Sequence, residues 1–383
     1  MTDNSNTLSL SPAEKNTLLL WGIVGILLAV ASLYFPGNSV VFNYQAGAER
    51  WLRNQDLYAG PEGYLYLPQF AMLFSLLPAK LALAEIGWNW FQLSVMVSGL
   101  FYFSRLLNTG EEKSFFPLLS LAVLIIGWTT FRNGQATILQ LGLMLWSIVL
   151  LENQRWMLTA ATLIAGLISK PVFIVFFLVV IFFYRNLWWR LLLFGGCAFL
   201  VTVIIKGVDY TLAQHLGFIT MVQQALSYGE GHEKTNWAHF FAIFPQVAGI
   251  WVPHKIQLIT RLLFAVLVLV AVGVARKRRS SAMAGYYLFA LSGCYLMLFN
   301  PRTETNSFVL VAPAIGYWVA ISKHRFQDKA YHAFCWLFVI SFPFAKYVRL
   351  ITPGMWAWGK PMITVFFTIF LVKQLFSKED LKE

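Results

Sequence analysis

Charge is what this sequence has least of. Only 12% of its 383 residues are Asp, Glu, Lys or Arg, and 58% are hydrophobic. A soluble domain carries about 25% charged and about 45–50% apolar residues. Acid is the scarcer sign, with 17 Asp and Glu against 29 Lys and Arg, a net charge of +12. The three cysteines, Cys197, Cys294 and Cys335, lie singly inside apolar blocks, so neither a disulfide framework nor a metal-ligand spacing is on offer. The chain has no Gly-rich phosphate loop, no D-x-D motif and no HExxH, so no nucleotide cradle and no divalent metal is implied. A soluble globular enzyme, a disordered chain and a nucleic-acid-binding module are excluded.

What is present is apolar length. Blocks of about 15–20 apolar residues recur, enough to cross a hydrocarbon core of about 30 Å. Twelve spans are predicted: 17–36, 88–105, 115–130, 137–151, 157–169, 172–184, 191–205, 258–275, 282–298, 307–321, 331–344 and 356–372. The expected fold class is an all-α polytopic membrane protein, a single integral membrane domain over 1–383. Segments 157–169 and 172–184 are short enough to form one element broken at Lys170-Pro171. The stretch 237–251, interrupted by Pro245, reads as re-entrant or interfacial. Ser11-Pro12-Ala13-Glu14 has the form of a capping box with Pro at the first helical position. The run Leu18 to Phe35 is too long for a cleaved signal and lacks an A-x-A-like site, so the first span is expected to be an anchor.

Loop charge predicts orientation. Arg276-Lys277-Arg278-Arg279 is the densest basic cluster and belongs on the cytoplasmic side. Alternating from it places both tails, 1–16 and 373–383, inside, in a plasma (inner) membrane. The extracytoplasmic side then receives the 37–87 loop, Arg132 to Gln135, Lys170-Pro171, the 206–257 loop and Asn300 to Asn306. Long loops in compact proteins are usually functional. No Asp or Glu falls inside a predicted span, which weighs against an ion-coupled pump with a midplane carboxylate. Carboxylate chemistry is therefore sought in the outer loops, among Glu49, Asp56, Glu62, Glu85, Asp209, Glu230, Glu233 and Glu304.

Those loops carry recognisable pieces. The first reads Asn43-Tyr44-Gln45-Ala46-Gly47, then Asp56-Leu57-Tyr58, then Tyr64-Leu65-Tyr66-Leu67-Pro68-Gln69-Phe70-Ala71. Asn133-Gly134-Gln135 opens a span, Gly166 to Pro171 closes another, and Asn300 to Asn306 precedes a helix containing Ala312-Pro313. In this order they resemble the glycosyltransferases of family 87, proteins similar to polyprenol-phosphate-sugar-dependent mannosyltransferases of the GT-C fold. The likeness runs over roughly residues 30–325. It implies a membrane transferase that moves a mannose-like hexose, with inversion, from a polyprenyl-phosphate sugar to a glycan or lipid acceptor on the extracytoplasmic side. Such a protein uses the lipid-phosphate sugar as co-substrate and needs membrane lipid around it. Family members usually carry an Asp just before the Tyr-x-Ala-Gly stretch, read as the catalytic base. This chain has Asn38-Ser39 there and no acid until Glu49.

Transfer needs a base within hydrogen-bond reach of the acceptor hydroxyl and cations on the departing phosphate. Glu304, Glu49 and Asp56 are the catalytic candidates, with Glu304 expected to serve as the base or to orient it. If the segment is extended, Glu304 and Arg302 point the same way. Arg302, Arg132 and Lys170 are the candidates for the phosphate, Arg being the better fork, with Gln135 and Asn133 beside them on the donor side. Tyr44, Tyr66, Tyr228, Trp237 and Asn306 are the candidates for sugar or acceptor contact. Two other readings accompany this one: a flippase or carrier of lipid-linked sugars, which would call for an inverted repeat, and a catalytically silent relative with an assembly role.

Overall fold

The computed structural model describes residues 10–59, 64–108, 114–227, 237–323, 328–347 and 355–377, and within them the regular structure is helical, with no strand. The Ser11 hydroxyl accepts from Glu14 N–H at 3.2 Å and the Glu14 carboxylate accepts from Ser11 N–H at 2.9 Å, the capping box that opens α1 (Pro12–Tyr34). The first loop folds into α2 (Val41–Leu52) and α3 (Pro68–Phe74). Then come α4 (Leu81–Leu107), α5 (Phe116–Arg132), α6 (Thr137–Glu152), α7 (Trp156–Ser169), α8 (Ile174–Phe183) and α9 (Trp188–Lys206). Past them lie α10 (Val208–Ser227), α11 (Ile243–Ala248), α12 (His254–Arg278) and α13 (Ser281–Phe299). The chain ends with α14 (Ala312–Ile321), α15 (Lys329–Tyr347) and α16 (Met355–Phe376).

Each of the twelve predicted spans falls on one of these helices. Among the described residues, five segments are long and apolar enough to cross a bilayer by length and composition: Pro12–Tyr34, Arg185–Lys206, His254–Arg278, Ser281–Phe299 and Trp358–Phe376. The outer helices α9 and α12 turn apolar side chains outward, with Ile204 81% and Ile259 66% exposed. Such a surface is stable against lipid and costly against water. At the centre every residue of α14 is buried, as is most of α13. The protein is an all-α membrane protein.

Four sequence readings change. The 206–257 segment is not simply a loop: α10 occupies Val208–Ser227, its apolar spacing diluted by Asp209, Gln214 and His215. The 37–87 segment is likewise not simply a loop, since α2 occupies Val41–Leu52. Helix α4 starts at Leu81, so Glu85 lies inside an apolar helix at 2% exposure, where the hydropathy reading placed it in a loop. Finally, α7 and α8 form a hairpin and not one broken element. Lys170 is extended at the junction, and Trp156 and Tyr184, from the far ends of the two helices, stack with ring centroids 6.2 Å apart.

The contacts sort the helix termini into two ends. At one, Glu14 meets Arg105 at 3.2 Å, Ser281 donates to Glu152, and Arg279 donates to the carbonyls of Gln374 and Leu375. At the other, Val40 N–H donates to the Asn133 carbonyl, Lys170 to Thr137, and Lys360 to the Thr305 carbonyl. All the outer-loop pieces named above that fall on described residues gather at this second end.

Close backbone approach fixes the centre. A Cβ on Gly142 of α6 would sit 2.7 Å from the Met96 nitrogen and 2.8 Å from Met96 Cα on α4. Small residues at such crossings let membrane helices pack by van der Waals contact. Gly142→Ala is expected to destabilise the fold by about 1–3 kcal/mol, the scale of overpacking against an unyielding neighbour. A thermal melt in detergent checks it, and an unchanged midpoint contradicts this packing.

Candidate active site

The turn Asn133–Gln135, between α5 and α6, is the centre of the loop-bearing end. Asn133 caps α5 through its N–H to the Thr129 carbonyl at 3.1 Å. Gly134 follows with φ +61°, a conformation that favours glycine, and any Cβ there would also meet Val41 at 2.8 Å. Three elements pin this turn. Val40 N–H reaches the Asn133 carbonyl at 3.0 Å, Trp88 Nε1 of α4 reaches the Gly134 carbonyl at 2.8 Å, and Ala136 N–H donates to the Tyr44 hydroxyl at 3.1 Å.

Gln135 is buried, and its Nε2 donates to Glu304 Oε2 at 2.5 Å. Two motif pieces 169 residues apart in sequence are thereby joined. Glu304 belongs to the turns of 300–306, which are tied down on every side. Thr303 is fully buried, its hydroxyl donating to the Asn300 carbonyl at 2.9 Å, while its own carbonyl accepts from Ala238 N–H at 2.7 Å. The Asn306 carbonyl accepts from Thr130 at 2.5 Å and the Thr305 carbonyl from Lys360 at 2.7 Å. Glu304 Oε1 accepts nothing from the described residues.

Arg302 and Glu304 do not form an ion pair, and the segment is not extended: it turns at Pro301-Arg302 and again at Thr305-Asn306. The Arg302 guanidinium instead lies over the Trp237 ring, 4.9 Å from its centroid. Burial pulls its pKa below the ordinary guanidinium value, while the charge of Glu304 pushes it back up. A half-buried cation that pairs with no carboxylate among the described residues, stacked on an indole, is suited to an anion arriving from outside.

The tyrosines are inner supports. Tyr44, 1% exposed, is ringed edge-on by Tyr66, Phe70, Phe74 and Trp88, and it receives the Tyr66 hydroxyl at 3.2 Å. Burial pushes its phenol up to about 12, and the charge of Glu304 adds to the rise. Burial likewise raises Tyr66. Both stay protonated at neutral pH, so they act as hydrogen-bonding phenols and not as bases.

The remaining candidates divide. Lys170 is half-buried and donates to the hydroxyl of Thr137, the first residue of α6 and two residues past Gln135, at 3.0 Å. Arg132 is exposed and makes no hydrogen bond to the described residues. Glu49 projects from the exposed face of α2, opposite the buried Tyr44, Ala48 and Trp51. Asp56 is exposed as well and accepts from Tyr58 N–H at 3.0 Å. Neither acid is brought to the Gln135–Glu304 pair by any contact. Tyr228 lies outside the described residues. Among the described residues, no group of three or more His, Cys, Asp or Glu could hold a metal ion.

Two further residues have surroundings that the sequence reading does not anticipate. Glu85 Oε1 accepts from the Ser39 hydroxyl at 2.6 Å and from Gly37 N–H at 3.1 Å. A pairing 46 residues apart leaves no local pattern. His239, two residues past Trp237, has a buried Nδ1 with no hydrogen-bond partner among the described residues, and burial, helped by the nearby charge of Arg261, holds its pKa down at about 4.

A profile of glycosyltransferase family 87 matches residues 64–301. The chain belongs to glycosyltransferase family 87. No curated protein matches it. As a family 87 glycosyltransferase it is a transferase. The matched stretch includes the Asn133–Gln135 turn and Lys170, stops one residue short of Arg302, and begins after Ser39 and Tyr44. The chain's own geometry joins those flanking residues to the matched part, through the hydrogen bonds from Gln135 to Glu304 and from Ala136 to Tyr44.

Proposed function

We propose that this glycosyltransferase moves one mannose-like hexose from a polyprenyl-phosphate sugar to a glycan or lipid acceptor, with inversion, at the end that carries the Asn133–Gln135 turn. The observation that carries this reading is that Glu304 and Arg302, two residues apart in one turn-rich segment, are held by different partners. The carboxylate is fixed by Gln135, and the cation is stacked on Trp237 and makes no ion pair with an acid among the described residues. A sugar phosphate needs both. Arg302 takes the departing phosphate, whose charge grows as the glycosidic bond breaks. Trp237 offers a flat apolar face beside it, and Glu304 accepts from hydroxyls of the sugar, with Lys170 and Arg132 as further cations on that side. The lipid tail stays in the bilayer, against apolar helix faces such as those of α9 and α12.

The direct test offers radiolabelled polyprenyl-phosphate mannose, or a labelled nucleotide sugar, to membranes containing the protein. Label is expected in a product from the lipid donor. Label from the nucleotide sugar alone would overturn the donor assignment.

The same reading places this end outside the cell in the plasma membrane, with both termini cytoplasmic. A cysteine replacing the exposed Asp56 is then expected to react with an impermeant thiol reagent on intact cells, while one at Ser280, beside the basic cluster, is not. The reverse pattern contradicts the orientation.

A further inference from the structure

Among the described acids of the loop-bearing end, Glu85 alone is almost fully buried, at 2% exposure, and no described Lys, Arg or His pairs with it. An uncompensated buried carboxylate is costly unless its hydrogen bonds or its function justify it. Its two hydrogen bonds converge on one oxygen, Oε1, from Ser39 and from Gly37 N–H. Oε2 accepts none from the described residues. Ser39 is half-buried, between the buried carboxylate and the exposed Asn38. Its hydroxyl donates to Glu85 at 2.6 Å and accepts from Val41 N–H at 3.3 Å. A hydroxyl has one proton and two lone pairs, so one lone pair of Ser39 is uncommitted. The pair also borders the site. A Cβ on Gly134 would lie 3.5 Å from Ser39 Cβ, and the next residue, Gln135, holds Glu304.

We infer that Ser39 and Glu85 form the proton-accepting relay of the transfer, with Ser39 touching the acceptor and Glu85 drawing the proton through it. The inference rests on the glycosyl-transfer reading above. The acceptor hydroxyl donates to the free lone pair of Ser39. As its oxygen forms the new bond to the anomeric carbon, its proton passes to Ser39 Oγ and the Ser39 proton passes to Glu85 Oε1. The bond from the anomeric carbon to the phosphate oxygen breaks, and its electron pair leaves with the lipid phosphate. Glu85 afterwards returns the proton to solvent. In this arrangement Glu304, through Gln135 and the turn, orients the relay and the sugar.

The alternative role for Glu85 is to tie the 37–39 segment to α4, and Glu85→Gln separates the two. The amide oxygen of Gln can still accept from Ser39 and Gly37, so the tie survives while the basicity is lost. With full-length protein in membranes and labelled polyprenyl-phosphate mannose as donor, Glu85→Gln is expected to lower kcat by about 10²-fold or more, the range for a positioned base, with donor KM unchanged. Ser39→Ala is expected to lose at least about tenfold, because the acceptor then has no hydroxyl through which to reach the carboxylate. Adding Ser39→Asp to Glu85→Gln returns a carboxylate to the acceptor side and is expected to recover at least about tenfold of the lost kcat. Near-wild-type kcat in Glu85→Gln overturns the relay. So does a loss that appears in KM alone, or a double variant with no recovery. If Glu85→Gln does not accumulate in membranes, Ser39→Ala decides, and full kcat there overturns the relay. Absence of transfer by the wild-type protein would instead overturn the donor reading, so the two failures are distinct.

Discussion

Replacing Arg302 with Gln is expected to cut turnover by about 10²- to 10³-fold, the cost of removing one oriented donor from a developing charge. Removal of a cation from a half-buried position usually raises a question about folding, but the Arg302 side chain makes none of the hydrogen bonds that shape its loop, its backbone N–H alone reaching Asn300 Oδ1. Those are made by Thr303, Thr305 and Asn306, through Ala238, Lys360 and Thr130. The variant should therefore insert and melt like the wild type. Arg302→Lys keeps the charge but loses the planar fork and the flat stacking on Trp237, so it should recover only part of the rate. A purely anchoring arginine would behave differently, since Lys would then substitute fully and Gln would leave turnover intact. Steady-state rates for the two variants, beside their thermal midpoints, separate these cases.

Glu304→Gln is the second substitution with a large expected effect. Its Oε2 receives Gln135, and an amide oxygen can still do so, so the loop is expected to keep its shape. What disappears is the charge on the oxygen left for the sugar. Hydrogen bonds to a charged group contribute about 1.5–3 kcal/mol, so kcat/KM should fall by about 10- to 10²-fold. Glu49→Gln and Asp56→Gln should leave it unchanged, because both acids are exposed and no contact links them to the turn. Equal losses from Glu49→Gln would return the chemistry to the first loop.

Much of this site was legible before any coordinates. The alternation of helices brought Gln135 and Glu304 to one end, and that step required only counting apolar blocks and basic loops. The extended reading of 300–306 failed for a local reason. Pro301 and the doubly bonded Thr303 hydroxyl favour turns, which separate Arg302 from Glu304 instead of aligning them. Glu85, counted among the outer-loop acids, was placed outside its helix for a different reason. Its charge, with Gly87 close behind, depresses local hydropathy, so the helix seemed to begin at Trp88, and nothing in the neighbouring residues announces a serine 46 positions away. The resemblance puts Asn38-Ser39 where family members usually carry an acid, and only tertiary packing reveals the carboxylate lying behind the serine. Tyr44 was read as a sugar contact from its motif, yet an aromatic cage encloses it. Pattern identified the residue, and packing gave it a supporting role.

The central claim is that a sugar leaves a lipid phosphate at this end of the bundle. Purified protein in liposomes, supplied with doubly labelled polyprenyl-phosphate mannose and a membrane glycolipid extract as acceptor, tests it most directly. The account expects one polyprenyl phosphate released for each mannose transferred, with the anomeric configuration inverted in the product. Mannose carried across the bilayer with its phosphate bond intact would contradict it.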